Sequence, residues 1–227
     1  MRNETNLTAQ SVAITSETLY KHLKGLSFYK HKYRPYICPF DTLIKLVPPG
    51  SIVLDIGCGS GLFAALLAKY NQASHVHGFD ANESAINTGI EMLEKNTQIE
   101  PRVLFEQRDV RSGMPEGLYD VVSMIDVMHH VPPSEHKNVI LSAIERLKPG
   151  GLLLYKDMVE KPRWRAIANR IHDLVLAREW INYEKLHNII DWAKEAGLTL
   201  DNKGSRNMLW YGHEWVVLKK PEYKESR

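Results

Sequence analysis

Apolar runs and amphipathic stretches alternate through the middle of the chain, and this alternation predicts its architecture. Ser51–Ile56 is a short apolar run of the kind that makes a buried strand. Leu62, Phe63, Leu66 and Leu67 then form the stripe of a helix ending near Tyr70. His75–Phe79 reads as a second strand terminated by Asp80, and Asn82 as the N-cap of a helix with Ala85, Ile86, Ile90 and Leu93 on one face. Arg102–Glu106 makes a third strand, closed by Gln107-Arg108-Asp109, and Tyr119–Ile125 a fourth, ending at Asp126. Ser134 is placed to cap a helix carrying Val139, Ile140, Ala143, Ile144 and Leu147, after which Lys148-Pro149-Gly150-Gly151 turns into a fifth strand, Leu152–Tyr155. Strands alternating with helices at these intervals specify an α/β fold with a doubly wound, mostly parallel sheet and helices on both faces.

The flanks break the alternation. Residues 1–15 are polar enough to expect a frayed arm, and Ser16 to about Tyr33 reads as an interrupted helix, with Leu19, Leu23 and Leu26 on one face and Gly25 weakening its middle. Tyr29, Tyr33, Arg34 and Tyr36 form an aromatic and basic cluster, which either packs as a cap on the core or roofs a ligand pocket. Pro39 suits the first turn of a helix through Val47, which Pro48-Pro49-Gly50 ends. Beyond the fifth strand, Trp164, Ile167, Ala168, Ile171, Leu174 and Val175 recur at helical spacing, with Lys161, Arg163, Arg165, Arg170 and Arg178 on the other faces. A helix from Tyr183 to Ala196 stops at Gly197, and strands over Leu198–Ser205 and Met208–Leu218 close an antiparallel hairpin at the sheet edge. On the last of these, Tyr211, His213, Trp215 and Val217 share one face. The organisation expected is therefore an N-terminal arm and helical cap over 1–49, then one domain over 50–227 of about seven strands with a helical insertion or lid at 161–197.

Composition narrows the class without changing the fold. The 227 residues suit one α/β domain with a modest addition, and a net charge of +2 supplies no global reason to expect nucleic acid or an anionic membrane as partner. Cys38 and Cys58 stand far apart and without metal-ligand spacing, which argues against a disulfide framework and fits a cytoplasmic protein. Met1 to Gln10 lacks the basic start and apolar core of a signal peptide, and no apolar run approaches the roughly 20 residues needed to span a bilayer. A monomer or homodimer is expected.

The chemistry concentrates in Val53-Leu54-Asp55-Ile56-Gly57-Cys58-Gly59-Ser60-Gly61, a strand that ends in a glycine turn opening into a helix. A dinucleotide fingerprint needs glycine where Leu62 stands, and a carboxylate at Asp55 would repel a pyrophosphate. A Walker loop fails too, since no Gly-Lys-Ser/Thr occurs. The same carboxylate suits a ligand carrying an ammonium or sulfonium group. In a doubly wound sheet the ligand lies beyond the carboxyl ends of the strands, so Asp55, Asp80, Asp109, Asp126 and Lys156 with Asp157 should face one crevice.

These residues resemble the class I S-adenosylmethionine-dependent methyltransferases, and within them the small-molecule branch. The resemblance rests on Val53–Gly61, on Asp80, on Arg108-Asp109-Val110, on Tyr119-Asp120-Val121-Val122 through Asp126-Val127-Met128-His129-His130-Val131, and on Leu147-Lys148-Pro149-Gly150-Gly151, in the family's order. It implies S-adenosyl-L-methionine as cofactor and methyl transfer to an O, N or C atom of a small-molecule or lipid-like acceptor. Asp55, Gly57, Gly59 and Gly61 would hold the methionine moiety, Asp80 with Ala81 the ribose, Asp109 and Val110 the adenine, and Asp126 with Met128 the wall near the sulfonium. Each acid has a plainer alternative as a helix cap or surface ion pair. His129 and His130 are placed to supply a general base, or else serve as cofactor wall or loop packing. No metal is expected. The basic stretch 161–178 keeps open an RNA- or protein-directed methyltransferase, and a non-catalytic partner subunit is a third reading, against which the intact acids and glycines argue.

Overall fold

The computed structural model describes residues 7–71, 73–158, 184–209 and 211–222. Strands β1 (Ile52–Ile56), β2 (His75–Asp80), β3 (Val103–Gln107), β4 (Tyr119–Ile125) and β5 (Leu147–Met158) pair in parallel, and β6 (Thr199–Met208) and β7 (Tyr211–Lys219) form an antiparallel hairpin. The sheet order is β3-β2-β1-β4-β5-β7-β6, with β7 inserted antiparallel beside β5. Strand order reverses between β1 and β4, which opens the crevice at their carboxyl ends.

The helices are α1 (Ala9–Leu19), α2 (Gly25–Tyr33), α3 (Phe40–Leu43), α4 (Leu62–Leu66, continued by a π turn through Asn71), α5 (Glu83–Glu94), α6 (His136–Glu145) and α7 (Leu186–Glu195). Alternate β1 residues point to opposite faces, Val53 into one core and Leu54 and Ile56 into the other. The first core packs α1, α3, α4 and α5 on the sheet; the second packs α6 and α7. Helices on both faces thus follow from strands that are apolar throughout. Among the described residues no helix is long and apolar enough to cross a membrane.

Several expectations are corrected. The arm is helical from Ala9, because Thr8 Oγ1 accepts from Ser11 N while Ser11 Oγ accepts from Thr8 N, and Val12 and Ala13 are buried. Leu26 is exposed rather than facing inward with Leu19, and Tyr29, Tyr33 and Tyr36 are exposed while Tyr20 enters the core. On α5, Ile90 is exposed and Gly89 and Met92 take its place, since a Cβ at Gly89 would stand 3.0 Å from both Phe105 and the Ser60 carbonyl. Ser134 does not cap α6; it lies in a preceding 3-10 turn, Pro133–Glu135. Strand β5 begins at Leu147 and extends to Met158, so the Lys148–Gly151 turn is a bulged part of the sheet, and Asp157 lies inside the strand. The hairpin turn falls at Leu209 rather than Asn207. The expected basic helix over 161–178, the part of the expected helical lid over 161–197 that falls on residues 161–183, and Trp210 lie outside the described residues.

Candidate cofactor and acceptor site

The glycine turn follows β1 and needs its glycines for two separate reasons. Gly57, Gly59 and Gly61 have φ of 64°, 56° and 81°, conformations that side chains rarely adopt. Neighbours also leave no room: a Cβ would stand 2.0 Å from Val127 at Gly57 and 1.9 Å from the Phe105 ring at Gly61. Asp80, at the end of β2, accepts from Gly59 N through Oδ2 and from Asn82 N through Oδ1, both at 2.8 Å. One acid therefore ties the turn to the start of α5, which Asn82 caps through Ala85 N. Each carboxylate oxygen keeps a lone pair, enough to accept a pair of ligand hydroxyls. Ala81 beside it is exposed.

Asp55 lies in β1 itself, 2% exposed, and accepts from Ser123 Oγ of β4 at 2.6 Å. Burial pushes its carboxyl up to about 7, against the Ser123 bond and with the Asp80 charge adding to the rise. It is therefore not the standing anion expected from the sequence. It ionises near neutrality.

Asp109 follows the plainer alternative. It caps the 3-10 turn Val110–Ser112 by accepting from Arg111 N at 2.9 Å, and its carboxylate holds the Arg111 guanidinium, whose hydrogen bonds keep it below the usual range. Val110 packs partly buried on the second core.

Asp126, just past β4, has φ 55° and a nearly buried side chain. Lys156 Nζ reaches both its oxygens, at 2.5 and 2.6 Å, and Arg34 reaches Oδ2 at 2.7 Å. Burial disfavours its charge, but Lys156 and Arg34 outweigh that and hold the carboxyl well below the usual range. Neither Arg34 nor its pairing with the strand-end acid carries any motif signal in the sequence. Met128 is fully buried in the second core, with no surface for a ligand.

His129 and His130 share a 3-10 turn, with ring centroids 4.3 Å apart. His129 is buried, and its Nδ1 lies 2.7 Å from Asp157 Oδ1. Burial works against a charged ring, but Asp157 outweighs it and raises the pKa, so the imidazolium is favoured. His130 is exposed. His213, paired with Met158 in register, is 1% exposed with neither ring nitrogen hydrogen-bonded, and burial together with the Lys156 charge lowers it to about 3. The structure thus gathers Asp55, the glycines and Asp80 on one side of the switch point, and Asp126, Lys156, His129, Asp157 and His213 on the other. Asp109 follows the end of β3 on the Asp80 side, where Arg108 N donates to the Asp80 carbonyl at 3.0 Å, and is itself paired with Arg111. Among the described residues no group of three or more His, Cys, Asp or Glu side chains is placed to hold a metal ion.

A glycine turn at the switch point, an acid ending β2 and an antiparallel β7 beside β5 define a Rossmann-like α/β domain. The model of the methyltransferase-domain family matches residues 29–203, and the chain belongs to that family. A ubiquinone biosynthesis O-methyltransferase of Marinobacter nauticus is 28% identical over 156 residues, covering 66% of this chain and 64% of the relative. The match thus spans just under two thirds of that relative's length. Magnesium protoporphyrin IX methyltransferase from Synechocystis PCC 6803 with bound S-adenosylhomocysteine superposes with a TM-score of 0.68 at 17% identity, covering 93% of this chain and 97% of that one. A 4+2 cyclase superposes with a TM-score of 0.67 at 14% identity, covering 94% of each chain. At these identities the structural likeness establishes the fold.

Proposed function

We propose that this chain transfers a methyl group from S-adenosyl-L-methionine to a nucleophilic O, N or C atom of a small-molecule or lipid-like acceptor. The observation that carries the reading is the glycine turn at the switch point, tied to Asp80 and flanked by Asp55. The residues fit the cofactor chemically: Asp80 has lone pairs for a ribose diol, Gly59 leaves open space where a Cβ would stand, and Asp55 can ionise as a cation arrives. Family membership and the Marinobacter nauticus relative support the same reading.

When bound, the cofactor supplies an electrophilic methyl on a sulfonium. The chain's part is to hold the acceptor in line at about 3–3.5 Å and exclude water, which can contribute on the order of 7–11 kcal/mol. An acceptor hydroxyl also needs a proton sink. His129 serves poorly, because it is buried with its Nδ1 held by Asp157. His130, exposed on the same turn, is the better general base. His130→Ala is expected to lower kcat about 10²- to 10⁴-fold on a hydroxyl acceptor while leaving cofactor affinity unchanged.

Calorimetric titration with S-adenosylhomocysteine and mass-spectrometric detection of methyl gain on a panel of phenols, amines and carboxylates test the proposal. Absence of cofactor binding would sink it. Binding without transfer would favour a second reading, a different reaction on this fold, which is kept because a 4+2 cyclase shares the architecture.

A further inference from the structure

The glycine turn is held by two different parts of the molecule. The sheet side supplies Cys58 N to Phe79 O at 3.0 Å and Gly59 N to Asp80 at 2.8 Å, and the turn closes on itself through Gly61 N to Cys58 O at 2.9 Å. Ser60, between two left-handed glycines, is held from the N-terminal cap. Tyr20 Oη donates to the Ser60 carbonyl at 2.7 Å, and His31 Nε2 lies 2.6 Å from Ser60 Oγ.

The direction of the second bond follows from its surroundings. His31 Nδ1 lies 2.7 Å from the Ser27 carbonyl, which can only accept, so Nδ1 carries the ring proton. In the neutral ring Nε2 is then an acceptor, and the Ser60 hydroxyl donates to it. Burial lowers the His31 pKa and keeps that form at neutral pH. The ring stacks on Tyr20 with centroids 4.1 Å apart, and Tyr20 is fully buried, so the two act as one unit. Ser16 Oγ donates to the His31 carbonyl at 2.7 Å, locking α2 onto α1. Three residues further on, Arg34 grips Asp126 beyond β4. The segment 20–34 therefore spans the switch point, holding the turn after β1 at one end and the end of β4 at the other.

We propose that His31 and Tyr20 are positioning residues for cofactor binding, which through Ser60 hold the glycine turn in the shape that a nucleoside ligand needs. This rests on the reading of that turn as the cofactor's. The physical reason is entropic: a turn with three left-handed glycines has many alternative shapes when untethered, and a ligand that must order it binds more weakly. The cap is then part of the cofactor site rather than an appendage to it.

The test is S-adenosylhomocysteine affinity by calorimetry on the full chain, with the unfolding temperature of each ligand-free variant measured alongside. His31→Ala and Ser60→Ala should each weaken binding about five- to tenfold, the factor one lost hydrogen bond implies. The double variant should be no weaker than either single one, since both remove the same bond. His31→Gln, whose amide oxygen can accept from Ser60, should recover most of the loss, and Tyr20→Phe should weaken binding while keeping the stacked ring. Independent, additive losses, or affinity within twofold of the parent in His31→Ala and Ser60→Ala while Asp80→Ala loses binding, would overturn the proposal. If Asp80→Ala also binds as tightly as the parent, the reading of the turn as the cofactor site fails instead. Ser60→Ala removes the bond from the other partner, so a result follows even if His31→Ala does not fold.

Discussion

Asp55 is the residue at which sequence and structure say different things about the same atoms. Its place before the glycine turn suggested a fixed negative charge; its burial makes it a carboxyl that titrates near 7. Because its folded pKa lies above the unfolded value of 3.8, the neutral form contributes stability that is fully present below pH about 4 and is lost as pH rises through about 7. Asp55→Asn should flatten that part of the stability profile, so that its Tm falls less between pH 5 and 8 than that of the parent, as read by thermal unfolding in matched buffers. A cation bound nearby favours the ionised form, so binding S-adenosylmethionine near pH 6.5 should release protons in the parent and fewer in Asp55→Asn, measurable as a buffer-dependent heat. Equal proton release from the two would remove Asp55 from the cofactor site. Tyr20 and His31 mark the opposite limit of legibility. They belong to no motif, and only folding brings them to a serine far along the chain.

Among the elements, the ends of β4 and β5 and the cap are joined by one cluster of charges, Asp126 and Lys156 buried and Arg34 half-buried at its edge. Such a cluster adds little net stability when intact, but removing one partner leaves a buried charge poorly compensated. Lys156→Met should therefore destabilise the fold by about 3–5 kcal/mol in chemical denaturation, despite the added apolar volume. A loss under about 1 kcal/mol would mean that Arg34 alone satisfies Asp126. Strand positions and Asn82 as a cap were legible because they depend on local pattern and local hydrogen bonds. Errors fell where one element answers to another. Gly89 faces inward in place of Ile90 because Phe105 and the Ser60 backbone come too close for a side chain, and Leu26 and three tyrosines stay exposed while Tyr20 is fully buried.

For the whole molecule, the cofactor reading joins sheet, turn and cap into one cooperative unit, so ligand binding should stabilise the entire fold. S-adenosylhomocysteine at one hundred times its Kd should raise the unfolding free energy by about 2.7 kcal/mol, seen as a shifted denaturant midpoint with an unchanged slope. A second transition unaffected by ligand would show that the cap folds separately. The sequence by itself determined the alternation of strands and helices, the parallel sheet with its antiparallel hairpin, and the crevice at the glycine turn, because hydrophobic period, caps and glycine placement are local properties of the chain. Only the tertiary structure decided what each strand-end acid is bonded to and how deeply it is buried. Asp80 binds backbone and keeps lone pairs, Asp109 is held by Arg111, Asp126 is neutralised by Lys156 and Arg34, and Asp55 is buried to the point of titrating near 7. The charge and availability of a carboxyl depend on what surrounds it in space, and that is set by packing between segments that lie far apart in sequence.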